Sequence, residues 1–395
     1  MEQLRKVKAA IVGCGMISNI YIKNLTHTFT IIDLVALCDR FPEAAKKQAE
    51  KFGISKTMSL EEVLASPEIE MVINLTAAPA HYEVIKAALE AGKHVYTEKM
   101  MCADLNQGRE LVDIARKRGL YLGSAPDTFL GAGLQTARKV IDSGFIGTVT
   151  SCVAAVNRNQ PICSERFEFI RHEGGSFPYD VGVYYVTALL GLFGPIKKIA
   201  AFARPAKTYQ ARNLWAGNYG KSWDLCGNNV VAASVEFDNG ILGNIHFNGE
   251  STNDETPHVI IYGTEGILYL GNPGGYDGKV TMVRKGEGSC EIPFTHGYKG
   301  TPLYGEAVDF DWGGHRGVGP AEMAWSIRLN REHRATGEMG LHTMEVLCGI
   351  DIAAETGRVY EMMTAFEKPR ALPSGYLAEE LGGFFRSDSE LSLTF

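Results

Sequence analysis

The stretch VKAAIVGCGMIS (residues 7–18) constrains the fold of this chain more than any other. Its opening VKAAIVG is a near-continuous apolar run, suited to a strand buried on both faces, and helical spacing follows over 16–25. Gly13 permits a tight turn between the two. Gly15 lets the backbone approach a pyrophosphate, which the helix N-terminus attracts. Ser18 stands where a third glycine is usual, a position that needs only a small residue. The glycine pair alone is a weak signal. Its setting between a buried strand and a helix strengthens it, and the expected ligand is a dinucleotide.

The chain continues in the same rhythm. DLVALCD (33–39), MVINLT (71–76), HVYTE (94–98) and LYLGSA (120–125) read as strands. Helical patterns over 43–53, 81–92 and 106–119 separate them. Strands alternating with helices predict a doubly wound parallel sheet, a Rossmann domain over 1–125. A helix over 131–147 leaves it, and strand-like runs follow at 148–156, 196–203, 230–237, 241–248, 258–263 and 267–270. Asn239-Gly240 between two of these runs is a hairpin signal. The second domain, 126–370, is therefore expected to be α/β with a large, mostly antiparallel open sheet. Such a sheet exposes a face, and self-association is one common way of covering it. The expectation is a homo-oligomer built through that sheet. A helix over 337–357 ends the patterned chain, and 371–395 reads as a C-terminal arm.

Composition narrows the partners. A net charge of −7 without a long basic run argues against nucleic acid and anionic membranes. Eight cysteines without CxxC spacing signal neither a zinc site nor a redox dithiol. They read as reduced thiols of a cytoplasmic protein, and no metal is expected. The uncharged run 181–196 is too short for a membrane span, which needs about 18 residues or more. The apolar N-terminal stretch lacks a convincing cleavage site and is read as a strand, not as a signal peptide.

Asp39 closes the second strand and is expected to bind a ribose 2′-hydroxyl, although it lies 26 residues past Gly13, where ~20 is usual. A carboxylate there repels a 2′-phosphate, so NAD is favoured over NADP, with Arg40 as a partial offset. Met16 and Ile17 beside the glycines, with Thr76, His81, Glu98 and Lys99, complete the expected cofactor side. Lys99 follows a strand end and so lies on the crevice edge of the sheet.

The greasy segment GGSFPYDVGVYYVTALLGLFGP (174–195) carries one acid and a phenol four residues later. In a helix starting near 178, Asp180 and Tyr184 share a face, while Val181, Tyr185 and Ala188 pack beside it. Upstream, Arg158, Arg166, Arg171, His172, Phe167 and Phe169 offer groups for sugar hydroxyls and faces. Arg158 and His172 are the substrate-side candidates, and His172 is a reserve acid or base. The aromatics of 213–224 are a further candidate wall.

Together, VGCGMIS, CDRFPEAA, NLTAAPAHYEV, GKHVYTEK and GGSFPYDVGVYYV resemble the glucose–fructose oxidoreductase / inositol dehydrogenase / rhizopine-catabolism (Gfo/Idh/MocA) family, in order and over almost the whole chain. The resemblance implies an NAD-dependent oxidoreductase acting on a ring hydroxyl or ketone of a sugar, cyclitol or glycoside. It implies catalysis by the lysine of a Glu-Lys-Pro motif, matched by Lys99, and by an Asp-x-Gly-x-His motif, matched at Asp180 and Gly182. Two positions depart from the pattern: Met100 replaces the proline, and Tyr184 replaces the histidine. Tyr184 then becomes the candidate base, with the Lys99 ammonium expected to favour its phenolate. Lys99, Asp180 and Tyr184 are the expected catalytic residues. A redox-assisted NAD-dependent glycosidase and a redox-silent sugar or NAD sensor are the alternatives.

Overall fold

The computed structural model describes residues 5–374, apart from 103, 173, 213, 215–216, 252–257 and 299–313. The first five strands are β1 (Val7–Val12), β2 (Ile32–Cys38), β3 (Met71–Asn74), β4 (His94–Thr97) and β5 (Leu122–Ser124). They form one parallel sheet in the order β2-β1-β3-β4-β5. The order reverses between β1 and β3, which opens a crevice at their carboxyl ends. β1 shows why the run is apolar throughout. Val7, Ala9 and Ile11 point into one core cluster. Ala10 and Val12 point into the other. Helices α1 (Ser18–His27), α2 (Pro42–Phe52), α3 (Leu60–Ala65), α4 (His81–Glu90) and α5 (Leu105–Arg118) connect the strands.

The second part begins with α6 (Ala132–Asp142), β6 (Val149–Asn157), α7 (Gln160–Cys163) and α8 (Val183–Phe193). It continues with β7 (Ile196–Pro205), β8 (Tyr209–Gln210), β9 (Ser222–Trp223), β10 (Asn228–Phe237), β11 (Leu242–Asn248), β12 (Val259–Gly263), β13 (Gly266–Leu270), β14 (Val280–Arg284) and β15 (Ser289–Ile292). It closes with α9 (Val318–Leu329), α10 (Gly337–Thr356) and β16 (Tyr360–Glu361). Nine strands make one sheet, β15-β14-β13-β12-β6-β11-β10-β7-β16. β6 and β11 run parallel, and the remaining neighbours run antiparallel. Asn239-Gly240 makes the expected turn, with Gly240 at φ 82°.

The sheet has two unlike faces. Val231, Ala233, Val235, Ile245 and Phe247 point into the core, which α8 and α10 share. Phe202 and Leu242 point the other way, 82% and 58% exposed. Alternation with period two sorts the residues between the faces. The expected arm over 371–395 lies, from 375 on, outside the described residues.

Candidate functional site

The glycine loop follows directly from its residues. Gly13 has φ 103°, and a Cβ there would lie 2.5 Å from the Leu75 carbonyl carbon. The turn is thus pressed against the end of β3, and only glycine satisfies both demands. A Cβ on Gly15 would meet nothing within 4 Å, so the loop leaves open space on that side. Ser18 Oγ donates to the Gly15 carbonyl at 2.6 Å, tying the loop to the first turn of α1. That turn carries no acid and no side-chain cap, which suits an anion, and its Ser18 and Asn19 amides make only long bonds to the Gly15 and Met16 carbonyls, at 3.2 and 3.4 Å. These features fit a pyrophosphate.

The other expected cofactor residues ring the same edge. Asp39 Oδ2 accepts from the Cys14 amide at 2.7 Å and Oδ1 from the Phe41 amide at 2.8 Å. The carboxylate therefore braces the glycine loop, and a ribose hydroxyl has to use its remaining lone pairs. Arg40 is exposed and stacks on Phe41, 4.6 Å from the ring centroid. Met16 is 51% exposed and Ile17 half-buried, both at the loop mouth. Thr76 Oγ1 donates to Asn74 Oδ1 at 2.7 Å. His81 is buried, with its ring nitrogens against the carbonyls of Thr76 at 2.8 Å and Met100 at 2.6 Å. It locks the β3 and β4 exits together.

The chemical candidates converge at the end of β4. Lys99 Nζ donates to the Asp180 carbonyl at 2.8 Å and to Asp180 Oδ1 at 3.2 Å. Asp180 Oδ2 accepts from Arg158 Nη2 at 2.8 Å and Gln160 Nε2 at 3.0 Å. Burial opposes the charge of Lys99, but Asp180, Tyr184 and Glu98 outweigh it and raise its pKa. Burial likewise opposes the Asp180 charge, and Lys99 and Arg158 overcome it, lowering the carboxyl. At neutral pH the pair is an ammonium and a carboxylate. The Lys99–Met100 peptide is cis, even with methionine in the proline position.

The geometry refines the expected site at three points. A π-helical turn, Pro178–Gly182, precedes α8, so Asp180 and Tyr184 do not share one continuous α-helix. The Asp180 carbonyl, within that turn, accepts from Lys99. Second, Tyr184 faces two cations rather than Lys99 alone. Lys99 Nζ lies over the ring face, 5.4 Å from its centroid. Arg316 Nη2 donates to Tyr184 Oη at 3.2 Å. Third, His172 is exposed and stands 4.0 Å from Glu168, and among the described residues it makes no hydrogen bond to the cluster. Trp223 is also engaged elsewhere, stacked at 3.9 Å on Arg171. Residues 213 and 215–216 of the candidate wall lie outside the described residues.

Arg316 is the residue that sequence reasoning misses. It is 4% exposed and donates through Nη1 to Glu98 Oε1 at 3.1 Å. Glu98 also accepts from Tyr21 Oη at 2.8 Å and from the Lys99 amide at 3.1 Å. Burial resists ionisation of Glu98, and Arg316 with Tyr21 reverses that, lowering its pKa. Glu98 is thus a brace for Lys99 and Arg316. Within α8 every residue is buried except Tyr184, which is half-buried. The single opening in that helix is at the phenol.

Residues 7–125 match the family described as "Oxidoreductase family, NAD-binding Rossmann fold", and 134–269 match the "GFO/IDH/MocA C-terminal domain". The chain is 31% identical over 156 residues to an inositol 2-dehydrogenase/D-chiro-inositol 3-dehydrogenase of Lactiplantibacillus plantarum, covering 37% of this chain and 43% of that one. It is 26% identical over 273 residues to a scyllo-inositol 2-dehydrogenase (NAD(+)) of Bacillus subtilis, covering 67% and 74%. For the first of these and two uncharacterized oxidoreductases of Escherichia coli and Schizosaccharomyces pombe, the match takes in 43%, 61% and 54% of the relative, about half its length. The solved structure of levoglucosan dehydrogenase with NADH and L-sorbose superposes with a TM-score of 0.77 at 16% identity, over 91% of this chain and 99% of that one. That likeness concerns the fold. The two matched domains, in this order and on this architecture, establish that the chain belongs to the Gfo/Idh/MocA oxidoreductase family and carries its NAD-binding Rossmann domain.

Proposed function

We propose that this chain is an NAD-dependent dehydrogenase acting on a ring hydroxyl of a sugar, cyclitol or glycoside, with Lys99, Asp180 and Tyr184 as its chemical face. One observation carries the reading: Lys99 and Asp180, 81 residues apart, pair at the crevice edge beneath the Tyr184 ring. Gly13, Gly15 and the first turn of α1 would hold the pyrophosphate of NAD, and Asp39 would accept from a ribose hydroxyl. The nicotinamide would supply the acceptor for hydride leaving the carbinol carbon. The family's NAD-binding oxidoreductase domain and the inositol dehydrogenases among the relatives support this choice of chemistry.

The residues divide the remaining work by their hydrogen bonds. Lys99 places two of its three ammonium hydrogens on Asp180 and stays charged, so the third donates to the substrate oxygen and Lys99 does not accept from it. Both Asp180 oxygens already carry donors, which makes it a poor proton acceptor. Arg158 is 39% exposed and positioned by Asp180, so its outward N–H groups face incoming hydroxyls. Tyr184 is left as the group that exchanges the proton.

The domain division at 125/126, with a C-terminal arm from 371, remains part of this reading. A homo-oligomer through the open face of the nine-stranded sheet is supported by the exposure of Phe202 and Leu242. A cytoplasmic location is supported by cysteines that are all free. Among the described residues, no helix is long and apolar enough to cross a membrane.

The experiment is to incubate the purified protein with NAD and a panel of sugars, cyclitols and aryl glycosides, following nicotinamide absorbance. Reduction of NAD by at least one compound is expected. Release of aglycone without net NADH would instead indicate a redox-assisted glycosidase. Silence across the panel would indicate a sensor.

A further inference from the structure

We propose that Arg316 is the positioning residue of Tyr184, holding the phenolic oxygen so that this oxygen exchanges the proton of the substrate hydroxyl. The proposal rests on the dehydrogenase reading above and adds a residue that the family motifs do not contain.

The geometry points to a fixed donor. Nη1 of Arg316 is held by Glu98 Oε1 at 3.1 Å, and Nη2 reaches Tyr184 Oη at 3.2 Å. One planar guanidinium thus spans two partners, a geometry that an ammonium does not reproduce. The backbone beneath it is fixed from three sides. Asn24 Nδ2 donates to the carbonyls of Gly314 and Arg316 at 2.9 and 2.8 Å. Asp127 Oδ2 accepts from the amides of Gly317 and Gly319 at 3.1 and 2.9 Å. A Cβ on Gly319 would lie 2.2 Å from Tyr96 Oη, so the segment fits against β4 only with glycine there. Glu98 is in turn held by Tyr21. The donor at the phenol is therefore organised before any substrate arrives, which is where such a donor acts most strongly.

The direction of that hydrogen bond decides the chemistry. Arg316 has only N–H groups to offer, so it donates and the phenol oxygen accepts. The proton of Tyr184, when present, is left for another partner, and a phenolate oxygen stays compensated by the guanidinium. In alcohol oxidation the substrate O–H bond breaks and its proton moves to the Tyr184 phenolate. The carbinol C–H bond breaks with its electron pair leaving as hydride, as above, and the C=O bond forms. In ketone reduction the same proton returns from the phenol. Lys99, over the ring face, polarises the substrate oxygen and is not consumed.

The test uses Arg316→Lys, which keeps a cation for Glu98 but cannot fork to both partners. The neutral double variant Glu98→Gln with Arg316→Gln serves as a second version, because it leaves no buried charge unpaired. Each is made in the wild-type and the Tyr184→Phe backgrounds. Steady-state kinetics use NAD and the best compound of the panel, and the protein carries ζ-13C tyrosine for NMR. The Tyr184 resonance is assigned by its loss in Tyr184→Phe. We expect Arg316→Lys to lower kcat roughly 10²-fold with KM held within about 3-fold. We expect no further loss when it is added to Tyr184→Phe. The Tyr184 resonance should shift while NADH binding by fluorescence is unchanged. Equal losses in both backgrounds, or an unmoved resonance, would overturn the proposal. If wild type oxidises nothing, the dehydrogenase reading fails instead, and the resonance alone decides whether Arg316 holds Tyr184.

Discussion

The glycine loop and the charge cluster lie on the same edge of the parallel sheet, yet they are built in opposite ways. The loop uses neighbours in sequence: Gly13, Gly15 and Ser18, closed by one bond from Ser18 to Gly15. The cluster uses strangers. Arg316 lies 218 residues from Glu98 and 132 from Tyr184, and Lys99 lies 81 from Asp180. The loop is a backbone device whose strength lies in missing side chains. The cluster is a side-chain device in which each charge is held by another. Damage to the loop should therefore appear in cofactor binding and stability, and damage to the cluster in turnover.

The largest expected effect breaks the cluster. Lys99→Met should lower kcat by roughly 10³-fold, the upper end for loss of a preorganised donor to the reacting oxygen. The NAD dissociation constant, read by fluorescence quenching, should change little. Retained turnover would remove Lys99 from the chemistry, and a matching loss of NAD affinity would erase the contrast between the regions.

Gly13→Ala breaks the loop instead. The added carbon meets the Leu75 carbonyl carbon at 2.5 Å in a left-handed backbone. A loss of about 3 kcal/mol is expected in denaturant titration, together with poor NAD binding. Gly15→Ala sharpens the point. Its Cβ meets no protein atom within 4 Å, so stability should hold within ~0.5 kcal/mol while NAD affinity falls. Equal instability in the two variants would mean that Gly15 serves the fold rather than a ligand.

The smallest effect lies outside both regions. His342 is fully buried, and its Nε2 accepts from the Ile196 amide at 3.0 Å while Nδ1 faces Thr364. The ring must be neutral to accept that bond, and burial depresses its pKa from 6.5 to about 4. A depressed folded-state pKa means that the unfolded chain takes up the proton first as pH falls. The contribution is therefore intact above pH 6.5 and drains away toward pH 4. Between pH 7 and pH 5 the wild type should lose about 2 kcal/mol through this residue. The His342→Gln variant should lose that much less over the same interval. Parallel urea midpoints for the two proteins would show that His342 does not titrate as argued.

Legibility followed the same divide. The parallel strands and most helices fall within a few residues of their expected places, because buried runs and glycine stops are local signals. The short helix α3 carries its own signal, a capping box between Ser59 and Glu62, which apolar periodicity does not register. The site helix was legible as a buried helix with an acid and a phenol. Its opening π turn was not, since an apolar segment has no polar stripe to distinguish one helical pitch from another. Arg316 had no signal at all: it is one arginine in a glycine-rich segment, and only Glu98 and Tyr184 mark it out.

By itself, then, the sequence determined the strand–loop–helix unit at Gly13, the two-domain order, and the candidacy of Lys99, Asp180 and Tyr184. Each rests on backbone sterics or on residue patterns shorter than a supersecondary unit. The tertiary structure alone decided which cation meets which anion. It put Lys99 on Asp180 and Arg316 on the phenol, and left His172 at the surface. Such pairings are fixed by packing between distant segments, where a buried charge must find a partner and the chain order does not say which.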